Sequence, residues 1–257
     1  MIMGVVTVGA PQLVEVGVAG LLAGAINAIA GGGALITFPV LVAVGLPALA
    51  ANVTNTVGQC PGYASIVAGY RLELGGQRRR MWALGAVGIL GAGIGVVLLK
   101  VSSPATFRAI VPWLILGACG LLALQPALRR RLAVRATRRR GPPLLLGVVV
   151  LAASAYGAYF GAALGVLLLA ALAVALADRL QRLNALNRFV VLVVNLVAAA
   201  AFAVTMPVNW TYAAVLAGTT LVGGHAGVTL ARRLSERMLR AVVITLGIAA
   251  AIYLFVA

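Results

Sequence analysis

Residues 82–99, WALGAVGILGAGIGVVLL, run without a charged side chain. A stretch of this kind, in helical form, matches the roughly 20 residues needed to cross a hydrocarbon layer about 30 Å thick, where the backbone must satisfy its own hydrogen bonds. Comparable apolar stretches fill the rest of the chain: 13–30, 34–44, 49–69 and 109–128 in the first half, then 144–161, 163–177, 183–206, 210–231 and 239–256 in the second. They are continuous rather than alternating, which favours helices over the strands of a closed barrel. Only 9% of the residues are charged and the mean hydropathy is +1.11, far from the roughly 25% charge of a soluble domain. The expected fold is an all-α integral membrane protein. Residues 34–44 would reach only about 17 Å at a 1.5 Å rise, so that piece is a half-helix or the end of a broken one.

Shifting the sequence by 132 positions lays one half on the other without gaps. Asn52 and Asn55 fall on Asn184 and Asn187, Gly33 on Gly165, Gly91 and Gly95 on Gly223 and Gly227, and Arg108 on Arg240. The expected organisation is a first transmembrane repeat of about five segments over residues 1–128, a basic linker over 129–142, and a second repeat over 143–257.

The net charge of +16 and the runs Arg78–Arg80 and Arg138–Arg140 superficially suggest nucleic-acid binding. The simpler reading is that arginines mark the cytoplasmic ends of membrane helices, so lipid is an expected partner and nucleic acid is not. If the 129–140 stretch is cytoplasmic, 18 of the 20 basic residues fall inside, and only Lys100 and Arg108 fall outside. The uncharged 205–209 turn is then external, with Trp210 and Tyr212 at interface depth. On this count both termini are outside and the two repeats are inverted copies, an arrangement that places transporter substrate sites at mid-depth between the repeats.

Against this oily background, AANVTNTVGQ at 50–59 places Asn52, Thr54, Asn55, Thr56 and Gln59 close together. The pairs Asn52/Asn55 and Asn184/Asn187 are each three apart and so share a helix face. Their amides offer uncharged donors and acceptors, either to an oxyanion or to a neighbouring helix. Gly31, Gly32 and Gly33 are poor helix interior, and a helix restarting after them would present its positive end and free amides to an anion; close helix packing is the competing reading. Gly161 and Gly165 form a weaker version of the same pattern. Arg188, beside Asn187, either snorkels to the surface or faces the bundle interior and attracts an anion. His225 is the only histidine and is a candidate proton carrier or a packing residue.

The four acidic residues, Glu15, Glu73, Asp178 and Glu236, all lie near segment ends. No intramembrane carboxylate pair is available for cations, metal or hydrolysis, so neither cofactor nor metal is expected and the chain is not read as an enzyme. Cys60 and Cys119 lie in apolar segments and read as small core residues.

These residues resemble those of the TauE/SafE family of sulfite and organosulfur anion transporters, also called the toluene-sulfonate uptake permease family. The resemblance rests on AGAINAIAGGGALITFPVLVAVGLPALAANVTNTV and GYRLEL in the first half, and on YGAYFGAALGVLLLAALAVA, RLNALNRF and LVGGHAGVTLARRLSERMLR in the second. It implies a multi-pass permease of the bacterial cytoplasmic membrane that moves small sulfur-containing anions such as sulfite or sulfonates. Family members often carry Lys-Asn after the NAL sequence, where this chain has Asn187 and Arg188, so the basic residue is displaced by one position. A passive anion channel and a carrier of another small organic anion remain the alternatives.

Overall fold

The structure is a computed structural model and describes residues 9–29, 31–135, 143–230 and 236–256. Every regular element among the described residues is a helix. In the first half these are α1 (Ala10–Ile29), α2 (Ala34–Ala43), α3 (Ala48–Gly69), the single turn α4 (Arg71–Leu74), α5 (Arg78–Val101) and α6 (Pro104–Arg135). In the second they are α7 (Pro143–Tyr159), α8 (Leu164–Ala175), α9 (Leu180–Thr205), α10 (Trp210–Leu230) and α11 (Glu236–Val256). Four helices, α1, α5, the 104–127 part of α6, and α9, are long and apolar enough to cross a membrane. Many large apolar side chains face outward, among them Trp82, Leu90 and Trp113, as expected where lipid replaces water. The chain is an all-α, multi-pass membrane protein. The expected linker is partly helical, because α6 continues to Arg135; residues 136–142 lie outside the described residues.

Two helix starts follow the 132-residue shift: Ala48 and Arg78 correspond to Leu180 and Trp210. The glycine turns do not. Ala34, the first residue of α2, matches Leu164, the first of α8, at a shift of 130, because α8 has 12 residues and α2 has 10. Gly31 (φ +77°) therefore corresponds to Gly161 (φ +82°), both in the left-handed region. The expected pairing of Gly33 with Gly165 is corrected, since Gly165 sits in the first turn of α8.

Glycines also reveal how the helices run. Gly17 packs against Val215 and Thr219, Gly24 against Thr220 and Gly224, and Gly227 against Ala25 and Ala28, so residue numbers rise together along α1 and α10. Gly58 against Leu216, Gly62 against Thr220 and Gly69 against Val228 show that α3 runs the same way. In the other half, Gly91 packs on Leu151 and Gly95 on Ala155 and Ala158, while Gly85 meets Phe189 and Gly88 meets Val194; α5, α7 and α9 are parallel to one another. A Cβ added at Gly223 would lie 2.2 Å from the Leu21 carbonyl oxygen, and one at Gly95 would lie 2.2 Å from that of Ala155. These small residues let two backbones touch, which is how helices associate where lipid is as apolar as their side chains.

Helix α2 starts beside α1, where a Cβ on Gly33 would meet the Ala23 carbonyl and the Asn27 side chain. It leads through residues 44–47 into the start of α3, at the end of the bundle where α1 also starts. Helices α1 and α2 thus form a hairpin with Gly31–Gly33 at its tip. At about 15 Å, α2 cannot span, so the short 34–44 segment is a half-helix. Helices α7 and α8 repeat the hairpin, with Gly161 at its tip.

Candidate functional site

Five buried polar side chains bind the first hairpin to α3. The Gly33 N–H donates to Asn27 Oδ1 (2.8 Å), and Asn27 Nδ2 donates to Gln59 Oε1 (2.7 Å). Gln59 Nε2 donates to Asn55 Oδ1 (2.7 Å) and to Thr37 Oγ1 (2.9 Å), and the Thr37 hydroxyl donates to Asn55 Oδ1 (2.5 Å). Tyr63 joins through a side-chain hydrogen bond with Asn27. The sequence reading found Asn55 and Gln59 but missed Asn27, Thr37 and Tyr63; the available signal was that Asn27 and Thr37 are lone polar residues flanking the glycine run. Because Gln59 both accepts from Asn27 and donates to Asn55 and Thr37, Gln59→Leu strands buried groups. It should lower thermal stability in detergent by about 1–3 kcal/mol, whereas an unaltered melting temperature would show that the network relaxes at no cost.

The expectation of free amides at the tip is corrected at two positions. The Gly31 N–H donates to the Ile26 carbonyl (3.0 Å) and the Gly33 N–H to Asn27, since the turn consumes them in closing. The positive charge comes instead from Arg188. It is 3% exposed, so its side chain turns inward rather than snorkelling. A methyl group placed on Gly31 would lie 3.7 Å from Arg188 Nη1, and one placed on Gly165 would lie 3.5 Å from it. One guanidinium therefore lies beside both the Gly31 turn and the N-terminal turn of α8. The starts of α2 and α8 converge on it, and the positive ends of two helix dipoles add to its charge.

Asn187 completes this junction. Its Nδ2 donates to the Gly165 carbonyl (2.9 Å), which fixes Oδ1 as an acceptor. That oxygen, with Asn52 Oδ1 and Asn184 Oδ1, is buried and has no hydrogen-bond partner among the described residues. Asn52 donates to the Tyr159 carbonyl at the end of α7 (2.9 Å) and so ties α3 to α7. Thr54 and Thr56 are not brought to the junction by their bonds: the Thr54 hydroxyl accepts from the Asn209 N–H (2.9 Å) and that of Thr56 donates to the Asn52 carbonyl within α3. Gly32, with φ +98°, packs on Leu122 and Val243. His225 is exposed and lines a cleft between α3 and α10 with Ser65 and Arg71, so the structure does not gather it with the others. Tyr212 is fully buried, unlike the exposed Trp210. Cys60 and Cys119 are buried free thiols.

At the end of the bundle carrying α4, Asp178 forms an ion pair with Arg80 and lies 3.3 Å from Arg182 Nε. Arg182 Nη2 donates to the Gly75 carbonyl (3.1 Å), and Gln77 Nε2 donates to the carbonyls of Glu73 (2.9 Å) and Arg182 (3.1 Å). This clasp joins the α4–α5 connection to the α8–α9 connection, and the sequence reading, which treated Asp178 only as a segment-end acid, did not see it. Burial pushes the Asp178 carboxyl up, but the Arg80 hydrogen bond, the Arg179 amide and the charges of Arg182 and Arg80 outweigh it and hold the group below its ordinary value of 3.8. A lowered folded-state value means the pair stabilises the clasp at neutral pH, and that contribution is lost as pH falls below that value. Asp178→Asn should therefore lower the melting temperature at neutral pH, and the wild type should lose the same increment once the pH is taken below that value; equal melting of the two proteins at neutral pH would show that the ion pair contributes nothing.

At the opposite end Arg108 is exposed and lines a cleft of about 430 Å³ with Leu46, Pro47, Leu49 and Tyr253. Its counterpart Arg240 is buried, at 7% exposure.

Half-helices meeting at a buried cation, inside a bundle that lipid would surround, define a polytopic α-helical protein of the membrane-transporter class. Residues 16–254 match the family model for the sulfite exporter TauE/SafE, and the chain belongs to that family. It is 27% identical over 226 residues to a "Probable membrane transporter protein" of Haemophilus influenzae, covering 88% of this chain and 87% of that one. No solved structure matches.

Proposed function

We propose that this membrane transporter moves small sulfur-containing anions, such as sulfite or sulfonates, by alternating access at the interface of two inverted repeats in the cytoplasmic membrane. The observation that carries the reading is the buried Arg188 guanidinium held between Gly31 and Gly165, beside the starts of the two short helices α2 and α8. A cation so placed costs too much desolvation to be ornamental, and an anion offsets that cost. The amides of Asn187, Asn52 and Asn184 line or brace the same region, and their free oxygens suit water or an acidic proton on the substrate.

Opposed helix directions support the inversion: α1 and α3 run with α10, while their counterparts α7 and α9 run with α5. Inverted copies that swap conformations give two states open at opposite ends. The open cleft at Arg108, the buried Arg240 and the closed Asp178 clasp fit the state open at the Arg108 end. By the distribution of arginines that end is external, as are both termini.

Thermal shift of the purified protein with sulfite, sulfate, thiosulfate, sulfonates and carboxylates tests the substrate. Stabilisation by sulfur anions that weakens in Asn187→Ala is expected; a response confined to carboxylates would point to another organic anion. Proteoliposomes test the mechanism, because a carrier accumulates anion against its gradient when a counter-gradient drives it. Strictly downhill flux would identify a channel.

A further inference from the structure

The largest described cleft lies away from this junction, on the outer surface of the bundle between α3 and α10. It has a volume of about 790 Å³, and its walls are almost wholly apolar: Ala68, Gly69, Leu72, Leu221, Val222 and Ala226. Leu72, Leu221 and Val222 are all strongly exposed, so lipid would fill the cleft. Its polar groups sit toward one end. Arg71 opens α4 immediately beyond the C-terminus of α3, and His225 and Ser65 lie one to two turns deeper on α10 and α3. The Ser65 hydroxyl donates back to the Gly62 carbonyl, which leaves its lone pairs as acceptors and the guanidinium of Arg71 as the cleft's charged donor.

We infer that this cleft is a binding site for an anionic phospholipid, with acyl chains on the Leu221–Ala226 face of α10 and the phosphate at Arg71 and His225. The match is one of charge and depth. An apolar trough ending at a cation, at a helix end next to the basic Arg78–Arg80 run, has the layout of a lipid: oily below, negative at the interface. A zwitterionic lipid fills the trough equally well but presents a choline or ethanolamine cation near Arg71. A soluble anion would find the guanidinium but leave the apolar trough empty. Since α10 also packs against α1 and α3, a bound lipid would stiffen the α1–α3–α10 group. The inference is independent of which anion is carried, and its test involves no transport.

Native mass spectrometry and thermal unfolding of the purified protein, titrated with phosphatidylglycerol or phosphatidylcholine of equal chain length, read the preference. Phosphatidylglycerol should be retained and should raise the melting temperature more than phosphatidylcholine. Arg71→Gln should reduce the preference about five-fold, the expected worth of one basic residue near an anionic surface, and Arg71→Gln with His225→Gln should abolish it. Ala226→Leu, which fills the trough without touching charge, should weaken both lipids alike. Equal retention of the two lipids by the wild type, or an intact preference in the double variant, overturns the assignment. So does a matching shift with inorganic phosphate alone, which would make the site one for soluble anions.

Discussion

Arg188→Gln is expected to lower affinity for the transported anion about 10- to 100-fold, the worth of one or two charge-assisted hydrogen bonds, and to reduce proteoliposome flux accordingly. The melting temperature of the unliganded protein is the control, because the neutral amide removes the desolvation cost of a buried cation together with the interactions the guanidinium makes inside the bundle. A purely architectural arginine predicts the reverse, with the melting temperature of the empty protein falling and affinity surviving in whatever remains folded. Arg188→Lys separates charge from shape. Lysine keeps the positive charge but has neither the planar fork nor the reach to serve Gly31 and Gly165 together, so partial recovery of affinity is expected. Full affinity in Arg188→Gln would remove the residue from the site and with it the main support for the proposed function.

Gly223→Ala and Gly95→Ala should be the most damaging of the glycine replacements. In each, the new methyl carbon would lie 2.2 Å from a backbone carbonyl oxygen of the facing helix. No rotamer relieves such a clash, so the helices must separate, at a cost of roughly 1–3 kcal/mol or more. The yield of folded protein in detergent and its melting temperature should both fall. Gly93→Ala and Gly218→Ala provide the contrast, since an added Cβ there meets nothing within 4 Å. Those two variants should be neutral or slightly stabilised, because alanine is the better helix former by about 1 kcal/mol. Equal behaviour of the four would mean that the α5–α7 and α1–α10 contacts are looser than described.

Gly91 and Gly95 stand 132 positions before Gly223 and Gly227, and both pairs meet the backbone of a facing helix, α7 for the first and α1 for the second, so their likeness in the sequence is a likeness of packing. Asn55 and Asn187 stand in the same register, but their settings diverge. Asn55 is one of five side chains that knit α1, α2 and α3, while Asn187 holds the carbonyl of Gly165 and stands beside Arg188. The residues agree in type, and their partners differ. That divergence is invisible in the sequence, where both read as amides on a polar helix face.

The sequence by itself determined the membrane class, the rough bounds of most helices, and a register of Asn, Gly and Arg that recurs after 132 residues. Each follows from local physics: an apolar run of given length either fits a bilayer or does not, and a repeated register needs no knowledge of contacts. Only the tertiary structure decided which way Arg188 points, that Asn27 and Thr37 complete the Gln59 network, and that Asp178 clasps the α4–α5 and α8–α9 connections. It also shifted the glycine turn by two residues, so that Gly31 and not Gly33 corresponds to the second hairpin's tip. These depend on what lies across from a side chain. In a chain this uniform in composition, opposing surfaces are matched by shape and a few buried dipoles, and that information exists only once the helices are packed.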